Sequence, residues 1–186
     1  MEFLIDNYKL NNKHKPISLD NKNIKISDEP DKDGKYVVDV DGSLTIKNHD
    51  IYTLTNDLFV FGKVDGVFYC EDCNNLTSLK GAPKEVKNHF SCAGCKNLTS
   101  LKGVPKEVGG YFYCTMCNNL TSLEGAPEKV GKDFSCSRCN NLTSLEGAPK
   151  KVGGSFYCRD CTKLKNLDHL PEKIGGSLHV PDHLQK

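Results

Sequence analysis

Ten cysteines, arranged as five Cys-x-x-Cys pairs, are the residues of this 186-residue chain best equipped for chemistry. The pairs are Cys70/Cys73, Cys92/Cys95, Cys114/Cys117, Cys136/Cys139 and Cys158/Cys161, each beginning 22 residues after the last. Thiols bind soft metals, attack electrophiles and pair as disulfides. Cys70, Cys73, Cys92 and Cys95 read C-x2-C-x18-C-x2-C, within the spacing of a structural four-cysteine zinc site. At the other end Cys158, Cys161, His179 and His183 make C-x2-C-x17-H-x3-H. Two facts weaken the metal reading. Any 22-residue period with two cysteines generates this spacing, and five pairs leave one over when divided into four-cysteine sites. Disulfides between strands stacked about 4.8 Å apart would leave an odd thiol in each column of five. Free cysteine also behaves as a small buried hydrophobe. The expectation is therefore two structural columns of free thiols, with no metal or cofactor and zinc as the alternative.

The text around the cysteines repeats with them. Successive copies read CNNLTSLKGAPKEV, CKNLTSLKGVPKEV, CNNLTSLEGAPEKV, CNNLTSLEGAPKKV and CTKLKNLDHLPEKI. A fixed period with no insertions signals a repeat architecture, in which stacked units bury a face that one unit cannot. In the unit F-x-C-x-x-C-x-x-L-T-S-L-x-G-x-P-x-x-V, the F-x-C run alternates like a strand. Gly and Pro interrupt every copy, so no long amphipathic helix fits. Each unit is expected to be one short strand plus an irregular return arm.

The pattern F-x-C-x-x-C-x-x-L-T-x-L resembles the leucine-rich repeat in its C-x-x-L-T variant. On that resemblance the first cysteine of each pair takes the second inward strand position. The second takes the Asn/Cys position where the strand turns away. The Pro-containing return arm is similar to bacterial-type repeats with extended convex sides. The resemblance covers about three-quarters of the chain and implies a fold, not a function. Runs such as NLTSLEGAPKKVGG also resemble small bacterial and phage proteins.

The array extends beyond the cysteines. Gly154-Ser155-Phe156-Tyr157-Cys158 returns as Gly176-Ser177-Leu178-His179-Val180, and an earlier copy stands at Gly42-Ser43-Leu44-Thr45-Ile46. These offsets put Ile46 and Val180 in the first cysteine column and His49 and His183 in the second. The expected fold is thus a mostly β, leucine-rich-repeat solenoid over 41–186 with about seven short parallel strands. Residues 1–40 are assigned to an N-terminal β cap, in which Ile24–Ile26 and Tyr36–Val40 alternate between turn signals Asp33-Gly34 and Asp41-Gly42.

Composition excludes several functions. Lys+Arg is 25 against Asp+Glu 24, a net charge of +1, and only Arg138 and Arg159 are arginines. Such a balance gives no electrostatic footprint for nucleic acid or an anionic membrane. No segment approaches the ~18 apolar residues of a membrane span, and MEFLIDNYKLNNKHKP lacks a signal-peptide core. A cytoplasmic protein is expected, so the Asn-Leu-Thr sites at Asn75, Asn97, Asn119 and Asn141 are read as turn residues, not glycan acceptors. The histidines show no catalytic spacing, the cysteines are equivalent by repetition, and P-loop, G-x-G-x-x-G and G-x-S-x-G motifs are missing. An enzyme is not expected.

Positions that vary between otherwise identical copies are free to specify a partner. The outward middle strand position reads Tyr69, Ser91, Tyr113, Ser135, Tyr157, His179, flanked by His89, Tyr111 and Asp133 on one side and Glu71 and Arg159 on the other. Tyr and Arg are enriched at interface hot spots. The expected function is a non-catalytic module binding a partner protein through this concave strand face, with a homo-oligomer also open. The phage-type resemblance implies an inhibitor of a bacterial host protein, such as a defence component, acting in the host cytoplasm. The alternative function is a zinc-binding structural or nucleic-acid module using the CxxC pairs.

Overall fold

Two-residue strands gain almost nothing alone, so each must be held by the copies above and below it. The computed structural model describes residues 18–19, 23–46, 51–55 and 57–185, which form a parallel β-solenoid of about six turns. Its strands, numbered in chain order, fall in two ladders. The first ladder takes β1 (Ser18–Leu19), β4 (Leu44–Thr45), β6 (Phe68–Tyr69), β8 (Phe90–Ser91), β10 (Phe112–Tyr113), β12 (Phe134–Ser135), β14 (Phe156–Tyr157) and β16 (Leu178–His179). The second takes β2 (Asn23–Ile26), β3 (Tyr36–Asp41), β5 (Phe59–Val64), β7 (Glu85–Val86), β9 (Glu107–Val108), β11 (Lys129–Val130), β13 (Lys151–Val152) and β15 (Lys173–Ile174). The seven strands from β4 to β16 are parallel and in register, Phe over Phe from β6 to β14 with Leu44 and Leu178 at the ends.

The second ladder is a departure from the irregular return arm. Each turn carries a second strand at its Glu-Val or Lys-Val pair, whose Val is buried while the charged neighbour faces out. Two residues are too few to show alternation in sequence. The strand exists only because the same residues recur one turn away. At the N-terminus β1 pairs antiparallel with β4 and β2 with β3, so both ladders end on an antiparallel strand there. β3 itself runs parallel to β5, making it the first rung of the second ladder.

Inside, identical residues stack in columns. Phe68, Phe90, Phe112, Phe134 and Phe156 are fully buried. Their ring centroids lie 4.9, 5.2, 5.4 and 5.2 Å apart in succession, and the last two pairs are within 7° of parallel. Columns of Leu, from Leu76 and from Leu79, and of Val, from Val64, complete the core. Each such side chain is worth about 1.5–3 kcal/mol of burial.

The turns between ladders use left-handed backbone at two places per copy. One is the L-x-G glycine, as at Gly103 (φ 109°), where a Cβ would lie 2.4 Å from the Leu79 carbonyl oxygen of the preceding turn. The other is the third residue of every Cys-x-x-Cys: Asp72, Gly94, Met116, Arg138 and Asp160 all have φ between 54° and 74°. A residue with a Cβ pays about 1 kcal/mol or more for that conformation. On the outside, Lys102–Glu124 at 2.7 Å and Arg138–Asp160 at 3.4 Å are ion pairs between copies. They are exposed and each contributes little.

Met116 is exposed at its left-handed position. Met116→Gly is therefore expected to raise stability by about 0.5–1 kcal/mol, and Gly103→Ala to lower it by more than that, both read from urea midpoints.

Candidate functional site

The cysteine side chains are placed by the F-x-C strand and the left-handed turn that follows it. All ten are free and fully buried. The second-column thiols point back along the solenoid. Cys95, Cys117, Cys139 and Cys161 donate to the carbonyls of Cys70, Cys92, Cys114 and Cys136 at 3.1, 3.2, 3.1 and 3.2 Å. The first-column thiols of Cys92, Cys114, Cys136 and Cys158 point forward, to the carbonyls of Tyr113, Ser135, Tyr157 and His179 at 3.5–3.6 Å. Each of those carbonyls also accepts the backbone N–H of the same cysteine, for example Cys114 N–H to Ser135 at 2.9 Å. The two columns thus tie the core to the backbone in both directions.

Burial pushes the Cys114 and Cys139 thiols up, and the Cys158 thiol to about 12. Thiols held protonated are poor nucleophiles. The end positions differ from the columns. Ile46 and Val180 continue the first, Ile46 fully buried and Val180 half-buried. His183 sits in a short 3-10 turn, Asp182–Leu184, with Nε2 2.8 Å from the Leu164 carbonyl oxygen. His49 lies outside the described residues. Of the cysteines in the zinc-spaced set, Cys70, Cys73 and Cys95 have sulfurs within 4.8 Å of one another, while Cys92 faces Tyr113.

The outward face of the first ladder carries the variable residues. Tyr69, Tyr113 and Tyr157 are half-buried on alternate strands, about 9.6 Å apart at strand spacing. Ser91 and Ser135 between them are 1% and 7% exposed, so the serine strands are covered. Ser91 donates to Glu71 Oε1 at 2.5 Å. At the C-terminal end Tyr157 stacks on His179, centroids 4.4 Å apart and 2° from parallel, and Arg159 Nη2 lies 2.7 Å from His179 Nδ1. A second aromatic group joins His89 to Tyr111 (4.6 Å) and Tyr111 to Tyr113 (5.6 Å), with Lys132 Nζ 5.2 Å from the centre of the Tyr111 ring.

Two of the expected contact residues also hold backbone. Tyr111 N–H donates to His89 Nδ1 at 3.1 Å, and Ser155 N–H donates to Asp133 Oδ1 at 2.8 Å. Ser43 and Ser155 receive the Val67 and Ser177 N–H groups in the same way. Four residues of this column, Ser43, His89, Asp133 and Ser155, thus hold the backbone of the next turn. Lys132 was not among the sequence candidates, although its place beside Asp133 in the varying segment marked it. A further feature is an open trough of about 820 Å³ along the second ladder, floored by Val108, Gly131 and Val130 and flanked by Glu107 and Lys129, which pair with each other.

Fold and site together define a repeat β-solenoid with a satisfied thiol core and an aromatic outer face. No family model, curated protein or solved structure matches the chain. Among the described residues no helix is long and apolar enough to cross a membrane.

Two outcomes follow from these bonds. Cys139→Ala deprives the Cys114 carbonyl of its thiol donor and is expected to cost about 1–3 kcal/mol, while Cys139→Ser, keeping a donor, costs less in the same denaturation assay. Burial, reinforced by Lys132, holds His89 below the ordinary histidine value of 6.5. Above 6.5 folded and unfolded chains are both neutral there. As pH falls, the unfolded chain takes up the proton first, so stability drops until pH passes the folded value. Wild type is expected to lose more stability than His89→Gln between about pH 7.5 and about 5.5.

Proposed function

We propose that this chain is a non-catalytic binding module that engages a partner protein through the outward face of its first ladder. The observation that carries this is the contrast between the two sides of the same strands. Inward, each thiol described above has a backbone or thiol partner and each phenylalanine a stacking neighbour. Outward, Tyr69, Tyr113, Tyr157 and His179 remain half-buried and Arg159 exposed on a rigid scaffold. Rigid aromatic side chains with polar tips give contact area at low entropic cost, which is what hot spots use. Burial lifts the Tyr113 hydroxyl above its ordinary range, aided by Asp133, so it meets a partner as a donor.

All ten thiols are fully buried, out of reach of a substrate, and the trough is open, which favours binding over catalysis. The near-neutral charge favours a protein over nucleic acid. The resemblance to phage-type repeats directs the reading to a bacterial host protein, blocked by occlusion in the host cytoplasm. Tyr113→Ala and Tyr157→Ala are expected to lose the partner that wild type captures from a bacterial lysate, identified by mass spectrometry, while keeping wild-type circular dichroism. Capture at wild-type yield by both folded variants would overturn the proposal.

A further inference from the structure

The thiol columns contain one irregularity. Cys92, Cys114, Cys136 and Cys158 direct their sulfurs forward to a carbonyl of the next turn, but Cys70 directs its own to Cys73 Sγ at 3.7 Å. Cys70 is the first cysteine of its column, and the position before it is Ile46, with no sulfur to offer. Cys95 reaches back over the same spot through its bond to the Cys70 carbonyl at 3.1 Å. The three sulfurs lie within 4.8 Å of one another, all fully buried. Sulfurs bound to a pyramidal centre at about 2.3 Å stand about 3.4 Å apart, close to the Cys70–Cys73 separation of 3.7 Å, so Cys95 would move in by about 1 Å.

Charge decides which atom. Burying net charge in an apolar core is costly. Three thiolates leave a net charge of −2 around copper(I) and −1 around zinc(II), which also requires a fourth ligand. Around a trivalent centre they leave none. We propose that Cys70, Cys73 and Cys95 form a three-thiol site for one trivalent thiophilic centre, of which arsenite is the simplest. The reaction is a condensation without redox change: As(OH)3 plus three thiols gives As(S-Cys)3 plus three waters. Three As–O bonds break, three As–S bonds form, and each thiol proton leaves on a hydroxide as water.

The test uses reduced, metal-free full-length chain titrated anaerobically with sodium arsenite. One arsenic per chain is expected by native mass spectrometry, located on Cys70, Cys73 and Cys95 by fragmentation of the adduct, with the thermal midpoint raised because the ligand binds the folded state. Cys70→Ser and Cys95→Ser should weaken binding at least tenfold. Cys117→Ser and Cys139→Ser, which alter the same column outside the cluster, should not. The affinity should be flat over about pH 6–8, since neutral arsenite and neutral thiols release no protons, unlike zinc or copper(I). A lowered thermal midpoint, equal loss in all four variants, or displacement by equimolar zinc would overturn the site. Should Cys70→Ser not fold, fragmentation of the wild-type adduct decides alone: arsenic held by any other set of thiols overturns the site.

Discussion

Everything in this protein rests on residues lying over their own equivalents one turn away. A strand of two residues has no stability of its own, yet Phe112 lies between Phe90 and Phe134 and hydrogen-bonds through its backbone to the turn that follows. That register is held by packing and by direction at once. Ring stacking fixes the spacing, while first-ladder N–H groups point forward, as from Phe112 to Asp133, and second-ladder ones point back, as from Gly131 to Val108. Removing any column loosens all the others, because the period is shared.

The cysteines take their meaning from this stacking. A thiol is small enough to sit in the core and polar enough to reach a backbone carbonyl at the end of a short strand. With ten of them in two columns, the chain uses sulfur where other cores use an apolar methyl or a buried amide. The same packing suppresses reactivity where burial dominates, as at Cys114 and Cys158, while a hydrogen bond with Cys136 pulls the Cys161 thiol down. At Cys70, the first cysteine of its column, the sulfur turns to Cys73 instead of to the next turn's carbonyl, and three sulfurs converge.

The outer face follows another rule. The inward positions leave almost no freedom, so variation collects outward, and alternate tyrosine and serine strands produce aromatic groups of unequal composition. Tyr157, His179 and Arg159 gather at one end, and His89, Tyr111, Tyr113 and Lys132 gather nearer the middle. These groups draw residues from neighbouring turns about 20 or more positions apart, so each is a product of the solenoid rather than of a local motif.

The sequence by itself determined the period, the first ladder and the inward columns. F-x-C at a 22-residue repeat can only bury its apolar side by stacking, and the divergent copies at Leu44 and Leu178 were recognisable by their Gly-Ser-Leu text, 24 and 22 residues from the neighbouring Phe. The tertiary structure decided what depends on neighbours in space. The second ladder at Glu85–Val86 and its repeats is too short to read from alternation and forms only through hydrogen bonds between turns. That His89 and Asp133 hold the next turn's backbone, that Ser91 and Ser135 are covered, and that Cys95 rather than Cys92 joins Cys70 and Cys73 are also matters of direction. Spacing along a chain says which residues share a column. It does not say whether a side chain leans forward or back along it, because that is set by which carbonyls of the adjoining turns lie within its reach.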